Sequence, residues 1–290
     1  MAKRAIKKDE DQGEISVQEI VMGEAFFCVL GTSPLICNRL TEKTRHELLM
    51  PAPKKNAAER AIVLKHDPID EFRSSIQRNH SDDGPTRIVH LGSAFKKALA
   101  QVAVDVPGAT KAAIGRLTNV PQITVDIYGV PRVFSTIVRQ GGINKTPDVR
   151  TRAMLPRWAT YLTVRYVASL IKEHQVANLL GAAGIIIGVG DYRNEKGAGS
   201  YGQFRVCATD DPEFLAVIKE GREAQDAALA HPVAYDADTE ELLAWFNTET
   251  ARREKSVPSA GNGKPERPGK RSRKAAAEAR AEAAEQETIQ

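Results

Sequence analysis

Between Gly181 and Cys207 the chain reads GAAGIIIGVGDYRNEKGAGSYGQFRVC, an apolar run that turns into a glycine-dense polar loop and ends in a strand-forming segment. No other stretch limits the fold as much. Val176, Leu179, Leu180, Ala183 and Ile187 recur at helical spacing and predict a helix over 169–187, closing in Ile185, Ile186 and Ile187. Gly188, Gly190, Gly197, Gly199 and Gly202 then surround Asp191, Tyr192, Arg193, Asn194, Glu195 and Lys196. Such density permits turns with φ > 0, or close approach of a ligand or another chain. The run from Gly197 to Gly202 matches a dinucleotide fingerprint letter for letter, but that fingerprint leaves a strand and opens a helix. Here a helix is left and a strand at 203–207 is entered, so the match is rejected. Lys196 is followed by glycine, which rules out a Walker loop as well.

At 290 residues the chain is long enough for one large domain or two small ones. No apolar run approaches the roughly 20 residues that span a bilayer, and the N-terminal MAKRAIKKDEDQGE has no apolar core behind its charges. The expected protein is soluble, cytoplasmic and without a membrane partner. Cys28, Cys37 and Cys207 are odd in number, far apart and without metal-ligand spacing, so reduced thiols are expected. The six histidines form no ligand pair, and Asp67, Asp70, Glu71, Asp82 and Asp83 sit in a segment that reads as solvated loop. No metal and no cofactor is expected. A net charge of +4 agrees with an anionic partner without requiring one.

Residues 1–14 form a charged arm, 15–255 a folded domain with an insertion at about 40–85 and C-terminal helices over 210–255, and 256–290 a disordered basic and Ala/Glu-rich tail. Ala25 to Leu30 reads as a buried strand stopped near Pro34. Within the insertion, helices are expected over 56–65 and from Asp67-Pro68 onward. Thr86 to Leu91 reads as a strand, and Ser93 as the N-cap of a helix over 94–104 whose first turn carries Lys96 and Lys97. Two strands, 122–128 and 132–138, flank Gly129-Val130-Pro131 as a hairpin or a tight connection. A flexible segment, 141–147, leads to the basic run Arg150, Arg152 and Arg157, followed by an alternating strand over 158–166. Asp211-Pro212-Glu213 starts one helix and Thr239 to Lys255 forms another.

Cations and aromatics recur beside the flexible and glycine-rich segments. They are Lys96 and Lys97; Arg139, Lys145, Arg150, Arg152 and Arg157; Tyr161 and Arg165 on one strand face; and Tyr192, Arg193, Lys196, Tyr201 and Arg205. Charge that follows a backbone and rings that stack on bases suit single-stranded nucleic acid. A basic surface with no partner is the plainer alternative.

The order strand–helix–strand–strand–helix–strand is the ferredoxin-like (RRM-like) α+β arrangement, with helices on one face of an antiparallel sheet. Three segments carry a family resemblance: Val29 to Leu35, His90 to Leu99 with its Gly92-Ser93-Ala94-Phe95-Lys96 entry to a helix, and the glycine-rich run from Gly188 to Val206. They resemble the RAMP superfamily, the RRM-like proteins of CRISPR effector complexes, with Lys97 where glycine is commoner. The resemblance implies RNA binding over the sheet and loops by a subunit that repeats along a guide strand, with copies of itself and other effector subunits as partners. Some members cleave RNA with a histidine-containing site. No histidine here lies in a matching motif, so no catalytic residue is expected. The alternatives are a metal-independent endoribonuclease of the same fold and a viral structural or assembly protein.

Overall fold

A computed structural model of the protein describes residues 19–39, 49–50, 64–81, 83–139, 147–196 and 199–256. In chain order the elements are β1 (Met22–Gly31), β2 (Leu35–Ile36), α1 (Pro68–Ser74), β3 (Val89–Leu91), α2 (Gly92–Val102), α3 (Lys111–Leu117), β4 (Thr118–Asn119), β5 (Thr124–Asp126), β6 (Arg132–Arg139), β7 (Pro147–Leu155), β8 (Ala159–Val167), α4 (Glu173–Ile186), β9 (Phe204–Cys207), α5 (Pro212–Ile218), α6 (Arg222–Ala230) and α7 (Ala237–Ser256). The chain forms two compact units, 1–247 and 248–290. In the described part of the second, Glu249 accepts from both Arg252 and Arg253 within α7. The expected arm at 1–14, the helix expected over 56–65 except its last two residues, and the tail from 257 onward lie outside the described residues. Among the described residues no helix is long and apolar enough to cross a membrane.

The central sheet has the order β4-β8-β1-β9, with every pairing antiparallel. Reading β1, α2, β4, β8, α4 and β9 along the chain gives the ferredoxin-like connection, so the fold is α+β as expected. Its second strand is only Thr118–Asn119, a pair that no sequence periodicity marks. Alternation on β1 and β8 sends Phe27, Val29, Leu162 and Val164 to one face, where Phe95, Leu99 and Val102 of α2 and Val176, Leu180 and Ala183 of α4 close the core. The opposite face carries Cys28, Leu30 and Ala159, and α5 covers part of it with Phe214 and Val217. Phe26, on that same face, remains 58% exposed.

Beside the core stand a three-stranded sheet, β2-β7-β6, and a two-stranded pair, β3-β5. These pairings decide between the two expected connections: the strand after Gln122 pairs with β3, not with β6, so Gly129-Val130-Pro131 is no hairpin but a tight connection that carries the chain between sheets. A Cβ on Gly129 would meet the Arg157 carbonyl oxygen at 2.2 Å, so only glycine makes that crossing. Arg150 and Arg152 are strand residues of β7, alternating with buried Thr151 and Ala153. Pairing with β6 across a full register is what sets this alternation. His66 ties the hairpin to α1, with Nδ1 2.5 Å from Glu71 Oε1 and Nε2 2.9 Å from Asp148 Oδ1.

Helix starts follow local chemistry where a side-chain cap exists. Asp67 caps α1, and Asp211 caps α5, each accepting two backbone N–H bonds ahead of a proline at the first position. At α2 the expectation fails, because Leu91 is the N-cap and no side chain caps it. The Gly92 N–H instead donates to the Ile123 carbonyl at 2.9 Å, which pulls the helix start onto the strand end. Lys96 and Lys97 therefore sit in the second turn, where the helix dipole has little hold on them.

Two glycines of α4 give opposite expectations. A Cβ on Gly181 meets nothing within 4 Å, whereas one on Gly184 would lie 2.0 Å from the Phe204 carbonyl oxygen. Gly181→Ala should raise stability by about 0.5–1 kcal/mol through helix propensity, and Gly184→Ala should lower it by about 1–3 kcal/mol through overpacking. Urea midpoints that move the same way for both would contradict this packing.

Candidate nucleic-acid interface

The glycine loop is built from the end of α4. Gly188, at φ 72°, closes the helix by donating to Ala183, and Gly190 and Gly202 also hold positive φ, 86° and 70°. The loop is sewn to the turn after β1: Gly202 donates to the Pro34 carbonyl at 2.8 Å, Asp191 to Ile36 at 3.0 Å, and Val189 to Gly202 at 2.9 Å. A Cβ on Gly202 would fall 1.7 Å from the Val189 oxygen, and one on Gly199 1.7 Å from the Tyr192 oxygen. The close approach that the glycine density signals is met within the chain. Gly197 lies outside the described residues, as does the side chain of Lys196.

What the loop presents outward is a set of half-buried side chains. Tyr192 holds φ 51°, a conformation that costs an aromatic residue on the order of 1 kcal/mol. Its carbonyl accepts from Tyr201 at 3.3 Å, and Arg193 and Tyr201 form a parallel bridge. Tyr201 reaches Phe134 of β6 with ring centroids 6.2 Å apart, and Phe134 is the register partner of Arg152 on β7. Burial pushes the Arg152 guanidinium below its ordinary range, against the nearby charges of Asp191 and Glu71. Its Nε is buried and has no hydrogen-bond partner among the described residues. Loop and hairpin thus meet in a seam where Tyr201 packs on Phe134, Arg152 stands in register with Phe134, and Tyr192 and Arg193 lie beside them. Arg150 and Arg139 lie exposed on the same hairpin, while Lys145 falls outside the described residues.

On the other side of the loop a small cavity of about 150 Å³ is lined by Cys37, Arg39, His90, Ala94, Gly190 and Arg193. His90 is half-buried as a residue, and its ring Nε2 is buried with no hydrogen-bond partner among the described residues. Burial, helped by the Arg193 charge, pushes the imidazole down to about 4. Burial also pushes the Cys37 thiol up to about 12, which keeps it protonated and unreactive near neutrality.

The remaining expected residues divide by what they touch. Arg157 is paired with Glu220, Arg165 with Glu24 at 2.5 Å, and Arg205 with Asp211 at 2.7 Å and Glu213 at 3.2 Å. Arg193 is held by Glu195 at 2.6 Å but stays in the seam. Lys96 donates to Asn119 at 3.2 Å, and Lys97 is exposed. Tyr161 stacks on Phe26 with centroids 5.3 Å apart and meets Phe214 edge-on, so its face of the sheet is an aromatic cluster half covered by α5. Sequence reasoning missed Phe26, Phe134 and His90. The period-2 pattern of β1 places Phe26 opposite Phe27 and is the signal for it; nothing local marks the other two. Among the described residues no cluster of acidic, histidine or cysteine side chains is arranged to hold a metal ion. Asp67 is spent on a helix cap and Glu71 on His66 and the Thr151 N–H.

The buried His90 makes the fold sensitive to acid. Its native form is neutral, so between pH 6.5 and about 4 the unfolded chain takes up a proton that the folded chain refuses. Stability contributed by His90 is full above pH 6.5, falls as the pH drops through that window, and levels off below about 4. In thermal melts His90→Leu should lose less stability than the unaltered protein over this range, and an equal loss would show that another group sets the response.

No family model matches the chain, and no curated protein matches it. Among solved structures it is similar to the crystal structure of Cmr6 from Pyrococcus furiosus, at 8% identity over 64% of this chain and 98% of that one, with a TM-score of 0.31. A likeness of that size carries no weight for fold or function, and the fold assignment rests on strand order and pairing.

Proposed function

We propose that this protein binds single-stranded nucleic acid, with RNA as its ligand, and does not cleave it. The observation that carries the reading is the seam between glycine loop and hairpin, which gathers Tyr192, Tyr201 and Phe134 with Arg152 and Arg193. Rings of this kind take the π-face of any base, and guanidiniums follow the phosphates. Arg150, Arg139 and Lys97 extend the cationic surface without a carboxylate partner among the described residues. The strained Tyr192 supports the same reading, since a rigid scaffold holds its ring in place before any ligand arrives. The segments that resemble RAMP backbone subunits add that copies line up side by side along the strand, together with other effector subunits.

Binding of a labelled RNA strand should weaken steeply with salt. Arg150→Ala and Lys97→Ala should each lower the slope of log K against log salt by about 0.7, the share of one phosphate contact on a single strand. Unchanged slopes in both variants, or no binding at low salt, would remove the proposal. RNA incubated with the protein in chelator should stay intact, and discrete fragments would favour an endoribonuclease. A stable oligomer free of nucleic acid would favour a purely structural role.

A further inference from the structure

A second cationic site lies on the side of the molecule formed by α1 and α6. There a cavity of about 470 Å³ is walled by Arg73, Arg78, Arg87 and Asp226, among others. The local chemistry is unbalanced. Arg39, Arg73 and Arg87 all lie close enough to act on the charge of Arg78, and Asp226 is the one carboxylate among the described residues that opposes them. Asp226 is already engaged by Arg87 in a two-pronged pair, at 2.8 Å and 3.1 Å, and Arg222 approaches it at 3.8 Å.

Two of these arginines are positioned by the backbone and not by acids. Arg73 donates from Nε to the Leu229 carbonyl at 3.0 Å and from Nη2 to the Ala230 carbonyl at 3.3 Å. Arg78 donates to the carbonyl of Arg73 at 3.2 Å. Neither has a carboxylate partner among the described residues, and both are only partly exposed. Burial, together with repulsion from Arg39, Arg73 and Arg87, holds the Arg78 guanidinium below its ordinary range.

We propose that this pocket is a binding site for a phosphate monoester. Planar guanidinium forks match phosphate oxygens two at a time. A phosphate monoester brings close to two negative charges, which suits a cluster in which Asp226, the one carboxylate among the described residues that acts on Arg78, is already engaged, and the volume suits a group the size of a nucleotide. The same chemistry occurs on a free mononucleotide and on the 5′ end of a strand. The site shares no residue with the seam and does not depend on strand binding there.

The test uses the full chain melted in chloride, in inorganic phosphate, in AMP and in adenosine at equal ionic strength. Phosphate and AMP should raise Tm and adenosine should not. Arg78→Gln should fold, melt in chloride at or above the temperature of the unaltered protein because repulsion is relieved, and lose the phosphate-dependent rise. Arg78→Lys, which keeps the charge and loses the fork, should weaken AMP at least tenfold by calorimetry. Arg150→Ala and Lys97→Ala should leave the phosphate response unchanged, which separates this site from the strand interface. Tighter binding of a 5′-phosphorylated oligonucleotide than of its 5′-hydroxyl form, lost in Arg78→Gln, assigns the pocket to a strand end. AMP binding without that preference assigns it to a free nucleotide. The absence of any phosphate-dependent rise, or its persistence in Arg78→Gln, overturns the proposal.

Discussion

The architecture depends on how closely the chain doubles back between α4 and β9. Gly184 lets the helix lie against the backbone of Phe204, and Gly188, Gly190 and Gly202 reverse the chain in backbone conformations that a side chain would strain. Phe204 is thereby driven fully into the core, tilted against Phe95 of α2 and edge-on to Trp158. Trp158 in turn donates to the Ser33 carbonyl beside the turn that holds the loop. Helix, loop, edge strand and turn form one interlocked unit, so the side chains displayed by the loop inherit the rigidity of the core.

Charge divides the surface more sharply than composition suggests. With 41 basic and 37 acidic residues the protein is nearly balanced, yet the balance is uneven in space. Around β8, β9 and α5, Arg157 and Arg165 each meet one carboxylate and Arg205 meets two, and such partly exposed pairs contribute little to stability. In the pocket between α1 and α6 guanidiniums outnumber the carboxylates among the described residues, and in the loop–hairpin seam Arg152 is partly withdrawn from water. Uncompensated buried charge is costly. Arg152 and Arg78, each held partly away from water, mark the two places that carry the functional proposals.

Much of the fold was legible. The glycine loop, the strand at 204–207 and the capped starts at Asp67 and Asp211 stand where the sequence indicates them, and the helix expected over 169–187 forms over 173–186, starting four residues later. The candidate interface was legible in part. Tyr192, Arg193, Tyr201 and Arg152 come together, while Arg157, Arg165 and Arg205 are drawn into pairs elsewhere. Phe134 and the arginines of the second pocket were invisible, because their neighbours lie far along the chain: Arg87 meets Asp226 across 139 positions and Arg73 meets Leu229 across 156.

The sequence by itself determined which segments bend, which run straight and which face of each is apolar. Those properties follow from periodicity, caps and glycine, all of which act within a few residues. Only the tertiary structure decided partnership: that Thr124–Asp126 joins β3 and not β6, that two residues suffice for β4, and that Leu91 with a carbonyl from Ile123 starts α2 in place of Ser93. It also decided which cations keep their charge unspent. Backbone pairing and charge neutralisation are contacts between distant positions, and a one-dimensional pattern names the face a residue occupies but not the residue it will meet.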